Sequence, residues 1–117
     1  MTLLPEKLKI ETWRGATFRV EIIVTEDDGV TLRDLTDYDA TLEVRAEKGD
    51  AVVLLTLSTD NGGIVIDGPN GSVTLLSDVA EVEAQEWTQG IYDLMIAAPG
   101  GDTEAIYWGA FVIRGVE

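Results

Sequence analysis

Apolar and polar residues alternate with a period of two in one segment after another, and turn-forming residues separate the segments. From Thr17 to Thr25, Phe18, Val20, Ile22 and Val24 share one face, with Arg19, Glu21 and Thr25 opposite. Residues 39–47 repeat the pattern: Ala40, Leu42, Val44 and Ala46 point one way, Thr41, Glu43 and Arg45 the other. A strand puts successive side chains on opposite faces, so this period marks half-buried strands rather than helices. Leu8 to Trp13 alternates too. Ile91–Ala97 and Glu104–Arg114 flank Pro99-Gly100-Gly101-Asp102 and predict a hairpin. Glu26-Asp27-Asp28-Gly29 predicts another turn, followed by a short strand over 30–33. Ala51 to Leu57 is almost wholly apolar, which predicts a central strand or one covered on both faces. Residues 64–66 and 72–76 are short strands around the tight turn 67–71.

Only one segment breaks the pattern. Ser77 can cap a helix, with Asp78 and Glu81 near its positive end. A single short helix is expected over 78–86. Seven to nine strands, with turns about every 8–12 residues, predict an all-β antiparallel sandwich of the immunoglobulin-like kind. A small barrel is the alternative. The 117 residues fit a single domain over 1–117, with 1–6 as an extended N-terminal arm.

Composition narrows the function. The chain has neither Cys nor His, which excludes disulfides, thiolate chemistry, Cys/His zinc sites and His-based triads. An enzyme would have to work with carboxylates, Lys, Tyr, Ser or Thr alone. Among 22 acids some pair falls at glycosidase spacing by chance, and nothing marks one pair as special. A carboxylate hydrolase is the weakest reading, and no catalytic residue is proposed. The net charge of −14 opposes phosphate backbones, so nucleic acid is not an expected partner. It keeps a β protein soluble and blunts sheet edges. No apolar run approaches a membrane-spanning helix, and residues 1–6 do not resemble a signal peptide, so membrane insertion is not expected.

Candidate sites are few. Glu26-Asp27-Asp28, Asp60-Asn61 and Asp67 offer calcium-type oxygens but match no calcium motif, and such residues dominate ordinary turns. No metal or cofactor is expected. Tyr38 and Tyr92 stand at strand starts, where a hydroxyl bonds backbone. Trp13, Trp87, Tyr107 and Trp108 would make either a carbohydrate-stacking platform or core filling. Tyr107 and Trp108 are adjacent in a strand and point to opposite faces, so one is free for a partner. Leu3 and Leu4 precede the first clear strand with no partner assigned. Leu3, Leu4 and Trp108 are therefore the expected contact residues.

Four patches carry a family resemblance: Gly15-Ala16-Thr17-Phe18; Asp34-Leu35-Thr36-Asp37-Tyr38 running into Ala40-Thr41-Leu42-Glu43-Val44-Arg45; Thr59-Asp60-Asn61-Gly62-Gly63-Ile64; and Gly90-Ile91-Tyr92-Asp93-Leu94. In this order and spacing the chain resembles a family of small all-β proteins from the structural-gene regions of tailed bacteriophages and prophages, with a BppU-N-terminal-like sandwich. Two positions depart from that pattern. Asp37 stands where a Gly is frequent, and Tyr107-Trp108-Gly109 replaces apolar-Glu-Gly before the last strand. The resemblance implies a non-enzymatic virion protein of the tail, baseplate or fibre, made in the host bacterial cytoplasm. It also implies other virion proteins as partners, several copies per particle and no catalytic residues. The alternative is an Ig-like module that recognises a carbohydrate or receptor.

Overall fold

The computed structural model describes residues 6–13, 17–26, 30–77 and 87–114. Within them the chain forms nine strands in two sheets. These are β1 (Glu6–Lys7), β2 (Ile10–Trp13), β3 (Phe18–Ile23), β4 (Asp39–Arg45), β5 (Leu55–Ser58), β6 (Ile64–Asp67), β7 (Ser72–Ser77), β8 (Gln89–Ala97) and β9 (Thr103–Arg114). The larger sheet runs β1-β9-β8-β4-β5, with β2 also on β9. The smaller sheet runs β3-β7-β6. A β9-β8-β4-β5 sheet facing a β3-β7-β6 sheet is the strand order of an immunoglobulin-type sandwich.

The alternating segments become strands because their apolar residues meet between the sheets. Leu42, Val44, Leu57, Tyr92, Leu94, Ile96 and Phe111 point inward from the larger sheet. Phe18, Ile22, Ile64, Val73 and Leu75 meet them from the smaller one. Phe111 sits at the centre of an aromatic cluster. Its ring centroid lies 5.6 Å from Phe18, 5.8 Å from Trp87 and 6.4 Å from Tyr92, all tilted or edge-on. Such contacts add to burial and hold the two sheets together where a Cys-free sandwich has no disulfide. Val20 and Leu55 are half-buried and pack against this core.

The structure corrects the sequence-based picture at several points. The sandwich is not antiparallel throughout: β1 and β2 pair parallel with β9. The expected strand over 51–57 is a loop followed by β5, which is an edge strand. Val52 is 70% exposed. An edge strand with one neighbour needs only one apolar face, and Leu57 supplies it while Thr56 points out. The expected 30–33 strand reduces to a single bridge, Thr25 with Leu32. The expected helix over 78–86 lies outside the described residues. Among those described, the helical piece is one 3₁₀ turn at Gly68–Asn70, inside the expected tight turn.

The expected first strand is also broken. Pairing with β9 stops after Lys7 and resumes at Ile10. At the break the Leu8 N–H donates to the Trp108 carbonyl at 2.8 Å, and the Tyr92 hydroxyl donates to the Leu8 carbonyl at 2.5 Å. The Leu8 carbonyl lies directly over Gly109, where any Cβ would collide with it. Glycine is required there by this close approach.

Two predictions follow from this packing. Leu94 is fully buried. Leu94→Ala should lower unfolding free energy by about 2–5 kcal/mol, read from chemical denaturation. Tyr92→Phe strips the Leu8 carbonyl of its donor, and Gly109→Ala pushes it away. Both should speed amide hydrogen exchange across 6–13 while leaving β4 and β8 protected.

Candidate functional site: the outer face of the larger sheet

The outward side chains of the larger sheet fall into rows set by the register. One row crosses four strands: Glu43 on β4, Asp93 on β8, Trp108 on β9 and Lys7 on β1. A neighbouring row holds Arg45, Ile91 and Ala110. On the other side Thr41, Met95 and Ala105 align. The face thus has a row of charge and Trp108 across its middle, flanked by Ile91 and Ala110 on one side and Met95 on the other.

Trp108 is 37% exposed on this face, whereas Tyr107 packs against the core. The opposition expected from their adjacency is present despite a bulge between Leu94 and Met95, where β9 carries Ile106 as an extra residue. The Lys7 ammonium lies 5.4 Å from the Trp108 ring centroid and that of Lys48 lies 6.0 Å away. Both are within range of cation–π attraction. Neither lysine forms an ion pair among the described residues.

The acidic end of the row is organised by Arg45. Glu43 and Asp93 are directly cross-strand, an unfavourable arrangement for like charges. Arg45 lies between them, with Nη2 2.9 Å from Glu43 and Nη1 3.9 Å from Asp93. Its Nε donates to the Asp50 carbonyl at 2.9 Å, which ties down the 46–50 turn that carries Lys48. Between this turn and the sheet lies a groove of about 490 Å³, floored by Ile91 and Met95 and rimmed by Glu43, Arg45, Lys48 and Asp93.

The other candidates do not converge here. Trp13, 51% exposed, sits opposite Arg114 at the far end of β9. Six residues separate Arg114 from Trp108, about 20 Å along a strand. Trp87 packs edge-on against Phe111. The four aromatics therefore form no continuous stacking platform. Leu3 and Leu4 lie outside the described residues, as do Asp27 and Asp28. Asn61 Oδ1 accepts from the Ser58 and Gly63 N–H groups, and Asp67 accepts from the Asn70 amide, so these oxygens serve their own turns. Among the described residues no three acidic groups come together as a metal site.

Composition alone did not reveal a second polar feature. Arg33 donates two hydrogen bonds to Glu104, at 2.6 and 3.0 Å, and a third at 3.4 Å to the Tyr38 hydroxyl, whose ring lies beneath it. The pair is largely shielded from solvent and fixes the 30–38 segment to the start of β9. Next to it, Asp34 Oδ1 accepts from the Thr36 N–H and hydroxyl, and buried Leu35 donates its N–H to the Gly68 carbonyl. Asp37 then adopts φ 65°, the one positive-φ non-glycine among the described residues.

No family model and no curated protein matches the chain. Among solved structures it is similar to extracellular domains 3–5 of Drosophila OTK, at 14% identity and a TM-score of 0.38 over 93% of this chain. The chain spans about a third of that structure, 33%. It is also similar to a structure determined for multimeric cell-adhesive interactions of VGSC beta subunits, at 9% identity and a TM-score of 0.41, covering 99% of this chain and 97% of that one. At these scores the likenesses carry no inference about this chain.

The Arg33 hydrogen bonds hold the Glu104 carboxyl below its ordinary value of 4.5. Its pairing therefore stabilises the fold fully above pH 4.5, and that contribution is lost as pH falls through the depressed folded-state value. Asp34, lowered by the Thr36 hydroxyl and N–H, acts in the same direction. Denaturation measured across this acid range should show a shallower loss of stability for Glu104→Gln than for the natural chain.

Proposed function

We propose that this chain is a non-enzymatic structural module of a tailed-bacteriophage virion, in the tail, baseplate or fibre, that works through protein–protein contacts. The observation that carries this reading is Asp37. The resemblance places a Gly between Thr36 and Tyr38, and here the Asp adopts a left-handed φ of 65°, which Gly takes freely and Asp tolerates better than most residues. The departure is thus the kind the family's backbone permits. Two of the other patches also fall where the backbone is constrained. Asn61 and Gly63 close the turn before β6, and Gly90 packs against Val44. The resemblance consequently rests on fold-determining positions, which supports a shared scaffold whose partner surface varies.

The outer face of the larger sheet is the surface we assign to assembly. It exposes Trp108 near a groove lined by Ile91 and Met95, and an accessible Trp beside Ile and Met is what contact centres use. Residues 1–6, with Leu3 and Leu4, are assigned to the same role. A tape-measure, tail-tube or fibre gene beside this one would support the reading.

Trp108→Ser, and separately deletion of residues 1–6, should leave the far-UV circular dichroism of a β protein unchanged but abolish incorporation into particles. Particles that carry either variant at normal copy number would overturn the proposal.

A further inference from the structure

We propose that the outer face of the larger sheet pairs with the same face of a second copy, through a twofold axis running parallel to the strands between β8 and β9. The row Glu43–Asp93–Trp108–Lys7 is complementary to its own reverse. It carries acid in excess at the β4–β8 end, where two carboxylates share the single Arg45 guanidinium. Its own cation lies at the β9–β1 end, where Lys7 has no ion pair among the described residues, while Lys48 reaches towards the Trp108 ring from the 46–50 turn beside Arg45.

A twofold axis in the interface reverses the row left to right. Lys7 of one copy then faces Glu43 of the other, and Trp108 faces Asp93. The indole N–H donates to a carboxylate in that arrangement, and the lysine supplies the counter-charge that the acidic end lacks. The flanking rows fit the same operation. Ile91 faces Ala110 and Met95 faces Ala105, so large side chains meet small ones on either side of the charged row. An isologous contact of this type uses each complementary pair twice.

Charge also argues for this face over others. A chain of net charge −14 repels its own copies across most of its surface. Self-association needs a patch where unpaired cations meet acids, and this row supplies both. The inference rests on the assembly reading of the same face, but the two fail separately. The purified chain alone tests self-pairing, whereas particle incorporation tests the virion role.

The experiment is sedimentation velocity over a concentration series of the full chain and its variants. The natural chain should form a dimer that weakens as salt is raised, since the complementary charges lie at a solvated rim. Lys7→Glu and Glu43→Lys should each weaken dimerisation about tenfold or more, because each sets two like-charge pairs across the interface. The double variant Lys7→Glu/Glu43→Lys should regain the dimer. Trp108→Asp, which sets a carboxylate against Asp93, should also give monomer, and it serves as the independent variant if either lysine or glutamate exchange disturbs folding. A natural chain that stays monomeric at every concentration would overturn the proposal. So would single exchanges that leave the dimer unchanged, or a double exchange that fails to restore it.

Discussion

The Leu8 carbonyl is the point on which the functional face depends. Three features from distant parts of the chain meet there: the bare backbone of Gly109 beneath it, the Tyr92 hydroxyl bonded to it, and the Leu8 N–H bonded to Trp108. Parallel pairing is otherwise weak for so short a segment, since β1 has two residues. Burial of the tyrosine raises the pKa of its hydroxyl, which keeps it protonated and donating. This clamp brings the N-terminal strand alongside β9 and thereby places Lys7 next to Trp108. Without it β2 alone would flank β9, and the row would lose its cationic end.

The acidity of the chain is accommodated by a division of roles. Some carboxylates are held structurally. Glu104 receives Arg33, Asp34 receives Thr36, and Glu11 is paired with Arg114. The Arg33 contact joins elements far apart in sequence and is the most shielded of these pairs, so it has the best claim to orient a segment. Glu43 and Asp93 differ, because the register forces them together and one arginine serves both. An imbalance of that kind on an exposed face is a local cost within the monomer, and an external cation relieves it.

Local chemistry was legible in the sequence, and long-range pairing was not. The alternation of β4 and of the β8–β9 hairpin survived because each strand has one buried face and one open one. That one of Tyr107 and Trp108 is exposed followed from their adjacency, and it is Trp108. The same logic failed for 51–57, since an apolar run does not state whether both faces are covered, and β5 proved to be an edge. The break at Leu8–Lys9 was invisible because it is dictated by residues 84 and 101 positions downstream, Tyr92 and Gly109. The Arg33–Glu104 pair was hidden for the same reason, its partners being 71 residues apart. A Gly in a strand and a Tyr near a strand start carry no label naming the carbonyl they serve.

Trp108 stands one residue before the glycine that lies under Leu8. A carboxylate there would stand between Asp93 and Lys7, within reach of both lysines that now lie over the indole. It would pair with them inside the chain and leave the face closed to an external acid. Tryptophan removes that internal partner while keeping the lysines close, because a ring face attracts an ammonium without neutralising it. It also adds a large apolar surface to the exposed face. At a position whose backbone is fixed by the Leu8 contact, the indole thus leaves the lysines without the internal partner that a carboxylate would give, and the side chain at 108 decides what the face can accept.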